Sequence, residues 1–499
     1  MISVYDTLRR KKVPFEPGNA SSIGMYVCGP TVYDYCHVGH ARVYVAFDVV
    51  FRYLKVLGND VSYVRNITDI DDKIIARANE TGEAPLELSA RFSKEFHEDM
   101  TTLGCQPPNV EPRVSEHITD IVILIEKILD AGHAYVVGGD VYFEVDTFSE
   151  YGNLAARNLD ELRAGARVEL NDKKKNPLDF VLWKTAKPNE PAWDSPWGKG
   201  RPGWHIECSA MSMRYLGETF DIHGGGMDLI FPHHENELAQ SQAAAGPNTF
   251  ARYWLHNGFV NVWTKQHGDE KMSKSLGNFF TIREVCAKHE PEALRAYLLA
   301  TNYRNPISFE IERDGDTHHF RGVADMERRL AYAYNTIWRL DQTLMVDNSA
   351  DPSVELLSPA DTFEQRFAEA MGDDFNTAAA FGYASELLTL ANKLLDQPKL
   401  VSKAVRWRTL EVIREQLKQV SNVLGIFGQT PETFLARRKK MLIVQRGIDE
   451  KAVEALLVER NRAREAKDFG RADEIREQLV AKSIELMDGS GGTTWRVLE

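Results

Sequence analysis

Residues 23–64 constrain the fold more than any other part of this chain, because they predict a strand, a turn, a helix and a second strand in that order. Residues 23–27 form a short apolar run, typical of a buried parallel strand, and Gly29 and Pro30 follow as turn residues. Apolar side chains recur at helical spacing over residues 39–57, and residues 61–64 are again β-prone. This βαβ order predicts an α/β fold with a Rossmann-like, doubly wound parallel sheet, whose ligands bind at the carboxyl ends of strands.

The 499 residues exceed the usual size of one domain, and changes in pattern predict where further units meet. An insertion is predicted after residue 110, with a helix at 118–129, a hairpin at 134–145 and a passage rich in Pro, Trp and Gly. Sheet and helix patterns resume over 204–290, with a strand at 204–207. From Pro291 to 428 the pattern is helical, as in a bundle, and a small terminal unit follows.

The charge of the chain is uneven, which limits the partners that it predicts. The formal net charge is −13, and an acidic chain is a poor first candidate for binding nucleic acid. Residues 401–499 nevertheless hold 19 lysines and arginines against 15 acidic residues, so this end of the chain is basic.

The five cysteines, Cys28, Cys36, Cys105, Cys208 and Cys286, are odd in number and far apart. They do not form a disulfide pattern, and they favour a reducing compartment with thiols that are free or bound to metal. The N-terminal residues carry no secretory signal, and no apolar run approaches the ~18 residues of a membrane span. We therefore expect a cytoplasmic protein without a membrane segment, in which three of these cysteines (36, 105 and 286) are small packed residues.

The first motif with candidate chemistry is His37-Val38-Gly39-His40, which follows the first predicted strand and opens the predicted helix. The start of a helix presents N–H groups and the positive end of its dipole, so it can hold an anion, and two imidazoles add donors. Taken alone, the motif is equally compatible with two surface histidines near a helix start.

The second motif is Lys271-Met272-Ser273-Lys274-Ser275, in a polar stretch that precedes a glycine. Two lysines in a Gly-flanked loop can close over phosphates and stabilise the charge that develops in phosphoryl or nucleotidyl transfer. A solvated basic loop is the alternative for the pentapeptide alone. The presence of both motifs, in this order across a split doubly wound domain, favours the catalytic interpretation.

Together the motifs resemble the signatures of the class I aminoacyl-tRNA synthetases, and stretches 25–40, 203–211, 221–237 and 254–258 narrow the resemblance to the cysteinyl-tRNA synthetase family. The similarity runs over essentially the whole chain. Val38 stands where this family most often has isoleucine, which is a conservative change. Residues 264–270 form a longer stretch than is typical, which affects the loop before the lysine motif rather than the chemistry.

The resemblance implies a zinc site at Cys28, Cys208, His233 and Glu237, with His234 as a neighbour. His233 and Glu237 are four residues apart, so on a helix they share a face. Cys28 lies at a predicted strand end, and Cys208 directly follows the predicted strand 204–207. Spacing alone leaves open two buried cysteines and a helical salt bridge. The substrate thiolate would be a further ligand, because zinc favours thiolate and a serine hydroxyl ionises far less readily.

The resemblance also assigns the remaining site residues. Catalysis is expected to consist of positioning and charge stabilisation, without a covalent nucleophile, by His37, His40, Lys271 and Lys274. ATP, together with Mg²⁺, is expected at His37, His40, Gly224, Gly225, Gly226, Asp228, His256 and Lys274, although a flexible turn is the alternative for the glycines. The cysteine substrate is expected at Gly29, Thr31, Thr68 and Trp204, with Trp254 and Asn257 beside one of the two ligands.

Five units follow from these expectations. They are the first half of the catalytic domain (1–110), an inserted acceptor-side region (111–203), the second half of the catalytic domain with the lysine motif (204–290), an α-helical bundle (291–428) and a small anticodon-side domain (429–499). Basic residues of the last fifth are expected to face the tRNA backbone. Trp495 either stacks on an unpaired base or closes a small terminal core.

The expected activity is ATP-dependent ligation of L-cysteine to its tRNA through a cysteinyl-adenylate, by a monomer. Two alternatives remain. One is a cysteine ligase that transfers the adenylate to an amino-sugar without tRNA, which the basic C-terminal extension argues against. The other is an inactive RNA-binding paralogue, which the intact motifs and candidate zinc ligands argue against.

Overall fold

The computed structural model describes residues 2–19, 22–158, 173–264, 268–271, 278–314, 317–345, 353–489 and 492–498. Its strands are β1 Ser3–Asp6, β2 Lys11–Pro14, β3 Ser22–Val27, β4 Asp60–Arg65, β5 Ala134–Val137, β6 Asp140–Phe143, β7 Phe180–Thr185, β8 Gly200–Pro202, β9 Thr219–Gly226, β10 Phe250–Asn257, β11 Val260–Thr264, β12 Gly268–Lys271, β13 Ile307–Asp314, β14 Thr317–Phe320, β15 Ile484–Gly489 and β16 Gly492–Val497. Its helices are α1 Val38–Val56, α2 Asp72–Thr81, α3 Pro85–Thr102, α4 Ile118–Asp130, α5 Trp204–Leu216, α6 Glu235–Ala245, α7 Ile282–Cys286, α8 Pro291–Leu299, α9 Arg321–Met345, α10 Phe363–Gly372, α11 Thr377–Asp396, α12 Lys403–Leu424, α13 Pro431–Gln445, α14 Glu450–Glu465 and α15 Phe469–Ala481.

A parallel sheet in the order β10-β9-β3-β4 forms the centre of the molecule. The chain passes from β3 through α1 to β4 on one side, and it later adds β9 on the other side of β3. The strand order therefore reverses between β3 and β9, where doubly wound sheets bind their ligands. The predicted βαβ unit and fold class are confirmed.

The first half of the sheet is held by a well-capped and deeply buried helix. His37 is the N-cap of α1, and it forms a reciprocal capping box with His40. Phe47 and Val50, on the sheet-facing side of α1, are at most 1% exposed. Since α1 begins directly after the β3 turn, its first residues are fixed at the carboxyl edge of the sheet.

The inserted region has its own antiparallel sheet in the order β5-β6-β7-β8. Helix α4, amphipathic and buried along Ile121, Leu124 and Ile125, contributes to the same core. The predicted helix and hairpin of this region are confirmed, whereas residues 159–172 lie outside the described part of the chain.

The strand predicted at 204–207 is wrong, because these residues begin α5. Ile206, Ala210 and Met211 are buried at helical spacing along α5. A short apolar run does not separate a buried strand from the first turn of a buried helix. As a consequence, Cys208 projects from a helix rather than from a strand end.

The helical pattern predicted throughout 291–428 is interrupted by β13 and β14. Ile307, Phe309 and Ile311 are buried, and the residues between them are exposed, which is the period of two typical of a strand. β13 pairs in parallel with β11, so this segment joins a second sheet in the order β12-β11-β13-β14. The apolar alternation was present in the sequence and was outweighed by the helical residues around it.

Buried arginines connect the helical bundle to the catalytic half. Arg295, 1% exposed, donates to a carboxylate oxygen of Asp48 on α1 and to the carbonyls of Leu103 and Leu424. Arg42 of α1 donates to the carbonyls of Leu298 and Asn302. These contacts fix the bundle against the helix that carries His37 and His40.

The last two helices and the β15–β16 hairpin have a separate small core, to which Ile443 of α13, Leu457 and Ile475 contribute. Trp495 is 6% exposed in this core and donates to Glu454. Trp495 thus closes a terminal core, as one of the two sequence interpretations expected, and its ring is not presented to a base. In the described part of the chain, none of the helices combines the length and apolar character that crossing a membrane requires.

Candidate active site and metal centre

The carboxyl ends of the four parallel strands bring the candidate residues to one edge of the sheet. Cys28 and Gly29 follow β3, Thr68 follows β4, and β10 ends at Asn257. Thr31 and Thr68 are joined by a backbone bridge between the two loops. The predicted substrate residues Gly29, Thr31 and Thr68 therefore lie together beside Cys28.

The four predicted zinc ligands converge behind these loops, and all four side chains are buried. The two sulfur atoms, Sγ of Cys28 and of Cys208, are 3.8 Å apart. Glu237 Oε1 lies 3.6 Å from the sulfur of Cys28 and 3.0 Å from His233 Nε2. His233 lies in a π-helical turn, Ile230–His234, that continues directly into α6 with Glu237, so the pair spans one turn.

The two distances to the sulfur of Cys28 fit the edges of a zinc coordination tetrahedron, whereas the 3.0 Å between His233 and Glu237 is a hydrogen-bond distance. Bond lengths of roughly 2.3 Å to sulfur and roughly 2.1 Å to oxygen give edges of about 3.8 Å between two thiolates and about 3.6 Å between thiolate and carboxylate. Burial raises the pKa of both thiols, Cys28 and Cys208, and lowers that of His233. A cation at the centre reverses this effect for the thiols, and the neutral imidazole is already the form that binds metal.

Two further histidines, His205 and His223, contact this cluster, and the sequence analysis did not assign them a role. His205 Nδ1 lies 2.9 Å from His233 Nδ1, and His223 Nε2 lies 2.8 Å from Glu237 Oε2. Partners of this kind orient metal ligands from behind. The concentration of histidines in 223–234 is the sequence signal for His223, and His205 lies outside this range.

His234 gives the cluster a second geometric option. Its Nε2 lies 3.2 Å from Cys28 Sγ, and His223, His234, Cys28 and Glu237 also converge closely enough to hold a metal. His223 Nε2 is engaged with Glu237, and His234 Nδ1 is 2.7 Å from His256 Nε2. The set of Cys28, Cys208, His233 and Glu237 leaves His223 and His234 in these contacts beside the cluster. With two thiols it is the softer donor set, which suits zinc.

His37 and His40 begin α1 with their rings 4.0 Å apart. The backbone N–H groups of Gly39 and His37 donate to Nδ1 of His37 and of His40, over 3.0 and 3.2 Å. Two N–H groups of the helix start are thus already paired, which differs from the open anion site expected from the sequence. Because Nδ1 accepts in each neutral ring, the proton of each neutral ring is on Nε2.

A cavity of about 190 Å³ lies beside these two rings, and it is lined also by Asp228, Asn257 and Phe259. The glycines expected to touch adenosine do not line it. A Cβ at Gly224 would lie 2.3 Å from the Phe47 ring of α1, and one at Gly225 would lie 2.9 Å from His234. These glycines are therefore required for close packing inside the protein, whereas Asp228 faces the cavity.

His256, expected near ATP, is 2% exposed, and both its ring nitrogens are engaged. Nε2 lies 2.7 Å from His234, and Nδ1 lies 2.8 Å from Thr7 Oγ1. Burial lowers the pKa of His256 to about 3. Its contacts link β10 to the histidines behind the metal cluster.

Trp204 lies between the metal cluster and a second, larger cavity. Its ring stacks on His233 with centroids 4.2 Å apart. The cavity, about 490 Å³, is lined by Trp204, Gly203 and Glu207 from the start of α5 and by residues of the inserted sheet. Trp204 is thus close to the metal cluster, as its expected contact with the amino acid requires.

The lysine motif is only partly described. Lys271 is the last residue of β12, and Lys274 lies outside the described residues. The long stretch before the motif includes a β11–β12 hairpin, of which residues 265–267 are not described.

The segment that follows the lysine motif is bonded to the histidine motif. Val38 N–H donates to the Phe280 carbonyl, Ile282 N–H donates to the Cys36 carbonyl, and the His37 ring contacts the edge of Phe279. The segment after the lysine motif is therefore joined to the histidine motif by a short backbone bridge at the edge of the cavity.

Several basic residues of the last fifth are engaged within the protein. Arg437 pairs with the buried Glu290, Arg438 and Arg460 are buried, and Lys439 lies 3.5 Å from the centre of the Trp495 ring. The expectation that basic residues of this region face an RNA backbone is thus not met by the buried Arg438 and Arg460, whereas Arg437 is exposed beside its ion pair. Exposed positions on this module include Lys440, Arg462 and Arg464.

Comparisons with known proteins agree with this architecture. Residues 14–315 match the model of the class I (C) tRNA synthetase catalytic domain, residues 366–428 the DALR domain, and residues 450–496 the anticodon binding domain of cysteinyl-tRNA ligase. The cysteine–tRNA ligase of Geobacter metallireducens is 49% identical over 499 residues, and that of Anaeromyxobacter dehalogenans 51% over 504. Each comparison covers 99% of this chain and 99% of the relative.

Solved structures share the fold at low identity. The Mycobacterium tuberculosis methionyl-tRNA synthetase in complex with methionyl-adenylate superposes with a TM-score of 0.60 at 15% identity, covering 83% of this chain and 93% of that one. A leucyl-tRNA synthetase of Agrobacterium radiobacter, in a ternary complex, gives 0.57 at 12% identity, with 85% and 86% covered.

Proposed function

The chain belongs to the cysteinyl-tRNA synthetase family of class I, and we infer that it ligates L-cysteine to its cognate tRNA in two ATP-dependent steps. The carboxylate of cysteine attacks the α-phosphate of ATP, and pyrophosphate leaves as the cysteinyl-adenylate forms. The terminal ribose hydroxyl of the tRNA then attacks the adenylate carbonyl and releases AMP. The observation that carries this function is the full-length identity of 49% with a cysteine–tRNA ligase. A cluster of two thiols, an imidazole and a carboxylate that could hold a metal, at the switch point of the sheet, supports it.

We propose zinc as the resident metal, held by Cys28, Cys208, His233 and Glu237. The burial of the four side chains and the close spacing of their donor atoms support this ligand set. When bound, zinc would accept the substrate thiolate as a further ligand and so distinguish cysteine from serine. His205 and His223 hold the imidazole and the carboxylate in place from behind.

His37 and His40 are proposed to stabilise the phosphates of ATP through their Nε2 protons. Their position beside the 190 Å³ cavity and the engagement of both Nδ1 atoms support this role. Asp228 and Asn257 contribute to the same cavity and are proposed to contact the nucleoside. Lys271 and Lys274 are proposed to neutralise the charge on the phosphates, with Mg²⁺ bound to ATP.

Thr31, Thr68 and Trp204 are proposed to surround the cysteine, beside Gly29. The bridge between Thr31 and Thr68 and the stacking of Trp204 on His233 bring these residues next to the metal cluster. A Cβ at Gly29 would lie 1.5 Å from the Asn66 carbonyl oxygen, so only glycine allows this loop to approach β4.

The division of labour along the chain is also a proposal. The catalytic domain extends over 1–110 and 204–290 and includes the later strands β13 and β14, the insertion 111–203 contacts the acceptor end, and the bundle and terminal module contact the anticodon side. The matches to the DALR and anticodon binding domains support this assignment and favour tRNA over an amino-sugar as acceptor. We further propose a monomer that works in the cytoplasm, consistent with five free cysteines.

Replacing one thiol tests the metal proposal together with the activity. We expect Cys208→Ala to lose zinc and to raise the KM for cysteine by at least about 100-fold in ATP–pyrophosphate exchange, because a ligand and the thiolate site are removed together. Metal analysis and exchange kinetics on the same preparation measure both effects. Cys105→Ala is the matched control and should keep its zinc. Unchanged zinc in purified Cys208→Ala would refute the ligand set, and wild-type protein without cysteine-dependent exchange would refute the function.

A further inference from the structure

Glu207 is a buried carboxylate to which the proposed mechanism gives no role. It is 1% exposed, and the Thr68 hydroxyl donates to its Oε2 over 3.0 Å. Among the residues that the structure describes, no lysine, arginine or histidine forms an ion pair with it. Arg201, a cation that lines the same cavity as Glu207, bonds to Asp72 and Glu190 instead. A carboxyl group removed from water without a cation favours its neutral form, so a cationic group brought by a ligand would favour the carboxylate here.

Asn66 connects this carboxylate to the metal cluster. Its Nδ2 donates to Thr68 Oγ1 over 3.2 Å, and its Oδ1 accepts from the Gly29 N–H over 2.8 Å. The same Oδ1 lies 3.7 Å from the sulfur of Cys208. The side chain of Asn66 alone therefore separates Thr68 from the metal cluster. Glu207 contacts Thr68 directly.

The hydroxyl of Thr68 has one acceptor position left by these contacts. A hydroxyl donates one proton and accepts two hydrogen bonds. Its proton goes to Glu207, and one acceptor position takes the Asn66 N–H. The remaining position suits an N–H donor, and a positively charged donor there would also gain from the carboxylate behind it.

We propose that Glu207, acting through Thr68, is the positioning residue that selects the α-ammonium group of the substrate. This inference rests on the proposed function, since it assumes that a cysteine thiol is held at the metal cluster. Only the β- and α-carbons separate the sulfur of cysteine from its ammonium group, so the ammonium of a thiol held there falls next to Thr68. The ammonium donates to Thr68 Oγ1, and the negative charge of Glu207 fixes the hydroxyl in the accepting orientation.

The test compares two ligands that differ only in this group. L-cysteine and 3-mercaptopropionate have the same thiol, carboxylate and carbon skeleton, and the second lacks the amine. In the zinc-loaded full chain, the KM for cysteine and the inhibition constant of 3-mercaptopropionate are measured in ATP–pyrophosphate exchange. We expect Glu207→Gln to raise the KM for cysteine by about 100-fold and the inhibition constant of 3-mercaptopropionate by less than about threefold, because only cysteine presents a positive charge to this carboxylate.

Asp69→Asn is the matched control, since Asp69 is 2% exposed on the same loop and accepts from the N–H and hydroxyl of Ser115. It should leave the ratio of the two affinities unchanged. If Glu207→Gln weakens both ligands equally, or neither, the inference is overturned. If Glu207→Gln does not fold, Thr68→Val must reduce the ratio of the affinity for cysteine to that for 3-mercaptopropionate, and Thr68→Ser must restore it. An unchanged ratio in Thr68→Val overturns the inference equally. Wild-type protein without cysteine-dependent exchange would instead refute the proposed function.

Discussion

At the scale of single residues, burial decides what the cysteines can do. All five thiols are free, and those outside the metal cluster are Cys36, Cys105 and Cys286. Desolvation is the main cause that raises the pKa of Cys105 to about 12 and that of Cys286 to about 12. Only the thiolate is nucleophilic, so these two are chemically quiet even though they are partly exposed.

This environment predicts slow alkylation. At pH 8, Cys105 and Cys286 of the zinc-loaded protein should react with iodoacetamide about 1000-fold more slowly than in the urea-unfolded chain, because a thiol whose pKa is about 12 instead of about 9 has a correspondingly smaller thiolate fraction. Since the pKa is raised in the folded state, the native rate should increase about tenfold per pH unit between pH 8 and 10. Peptide mass spectrometry after timed quenching measures both rates. Equal rates in the folded and unfolded chain would contradict the shift.

At the scale of elements, the short helix α7 connects the two signature motifs to the body of the protein. Arg283 of α7 directs its guanidinium at three carboxylates of α3, with Nη1 2.5 Å from Glu95, Nη2 3.1 Å from Glu98 and Nε 2.7 Å from Asp99. Thr281 caps the same helix, and the segment just before it forms the bridge to the loop of His37. Arg283 thus fixes the position at which the chain returns from the lysine motif.

Removing this guanidinium should affect catalysis more than binding. In Arg283→Ala we expect kcat of ATP–pyrophosphate exchange to fall by about 10- to 100-fold, with the KM for cysteine changed by less than about threefold, because a small displacement of the reacting groups has effects of this size. Steady-state exchange kinetics separate the two constants.

The control for this substitution is Arg91→Ala, since Arg91 lies on α3 itself and its guanidinium pairs with Glu83. It should leave kcat within about twofold. A fall in thermal stability of Arg283→Ala without a change in kcat would show that the cluster only stabilises the fold.

At the scale of the whole molecule, α13 connects the terminal module to the rest of the protein. Arg437 and Gln445 of α13 bond to Glu290 and to the Lys288 carbonyl, and Phe434 stacks on Tyr334 with centroids 4.3 Å apart. The helices α14 and α15 and the terminal hairpin pack around their own small core. The chain can therefore be shortened after Gly447 without removing α13 from the bundle.

Such a truncation separates the two half-reactions. A chain that ends at Gly447 should keep cysteine-dependent ATP–pyrophosphate exchange within about threefold, while kcat/KM for tRNA charging falls by at least about tenfold, since the contacts that would be lost are those with the RNA. Exchange and charging assays on the same preparation compare the two. Loss of both activities would indicate that the module is needed for folding, and retention of both would refute its role in binding tRNA.

The sequence by itself determined the βαβ unit, the order of the main units and the positions of the motifs. Apolar periodicity and turn residues are local signals, and they identify an element when its pattern extends over several turns, as in α1 and α4. They failed at α5, where a short run beginning with Trp204 fits strand and helix equally well, and at β13, where the alternation is brief and lies between helices.

Only the tertiary structure decided which side chains meet. Cys28 and Cys208 are 180 positions apart and lie 3.8 Å from each other, and the pairing of Thr68 with Glu207 spans 139 positions. No local pattern encodes such distances, because they depend on how strands from both halves of the split sheet are ordered. The charge distribution shows the same limit. The basic tail is readable from the sequence, but packing buries Arg438 and Arg460 and thereby determines which cations remain exposed.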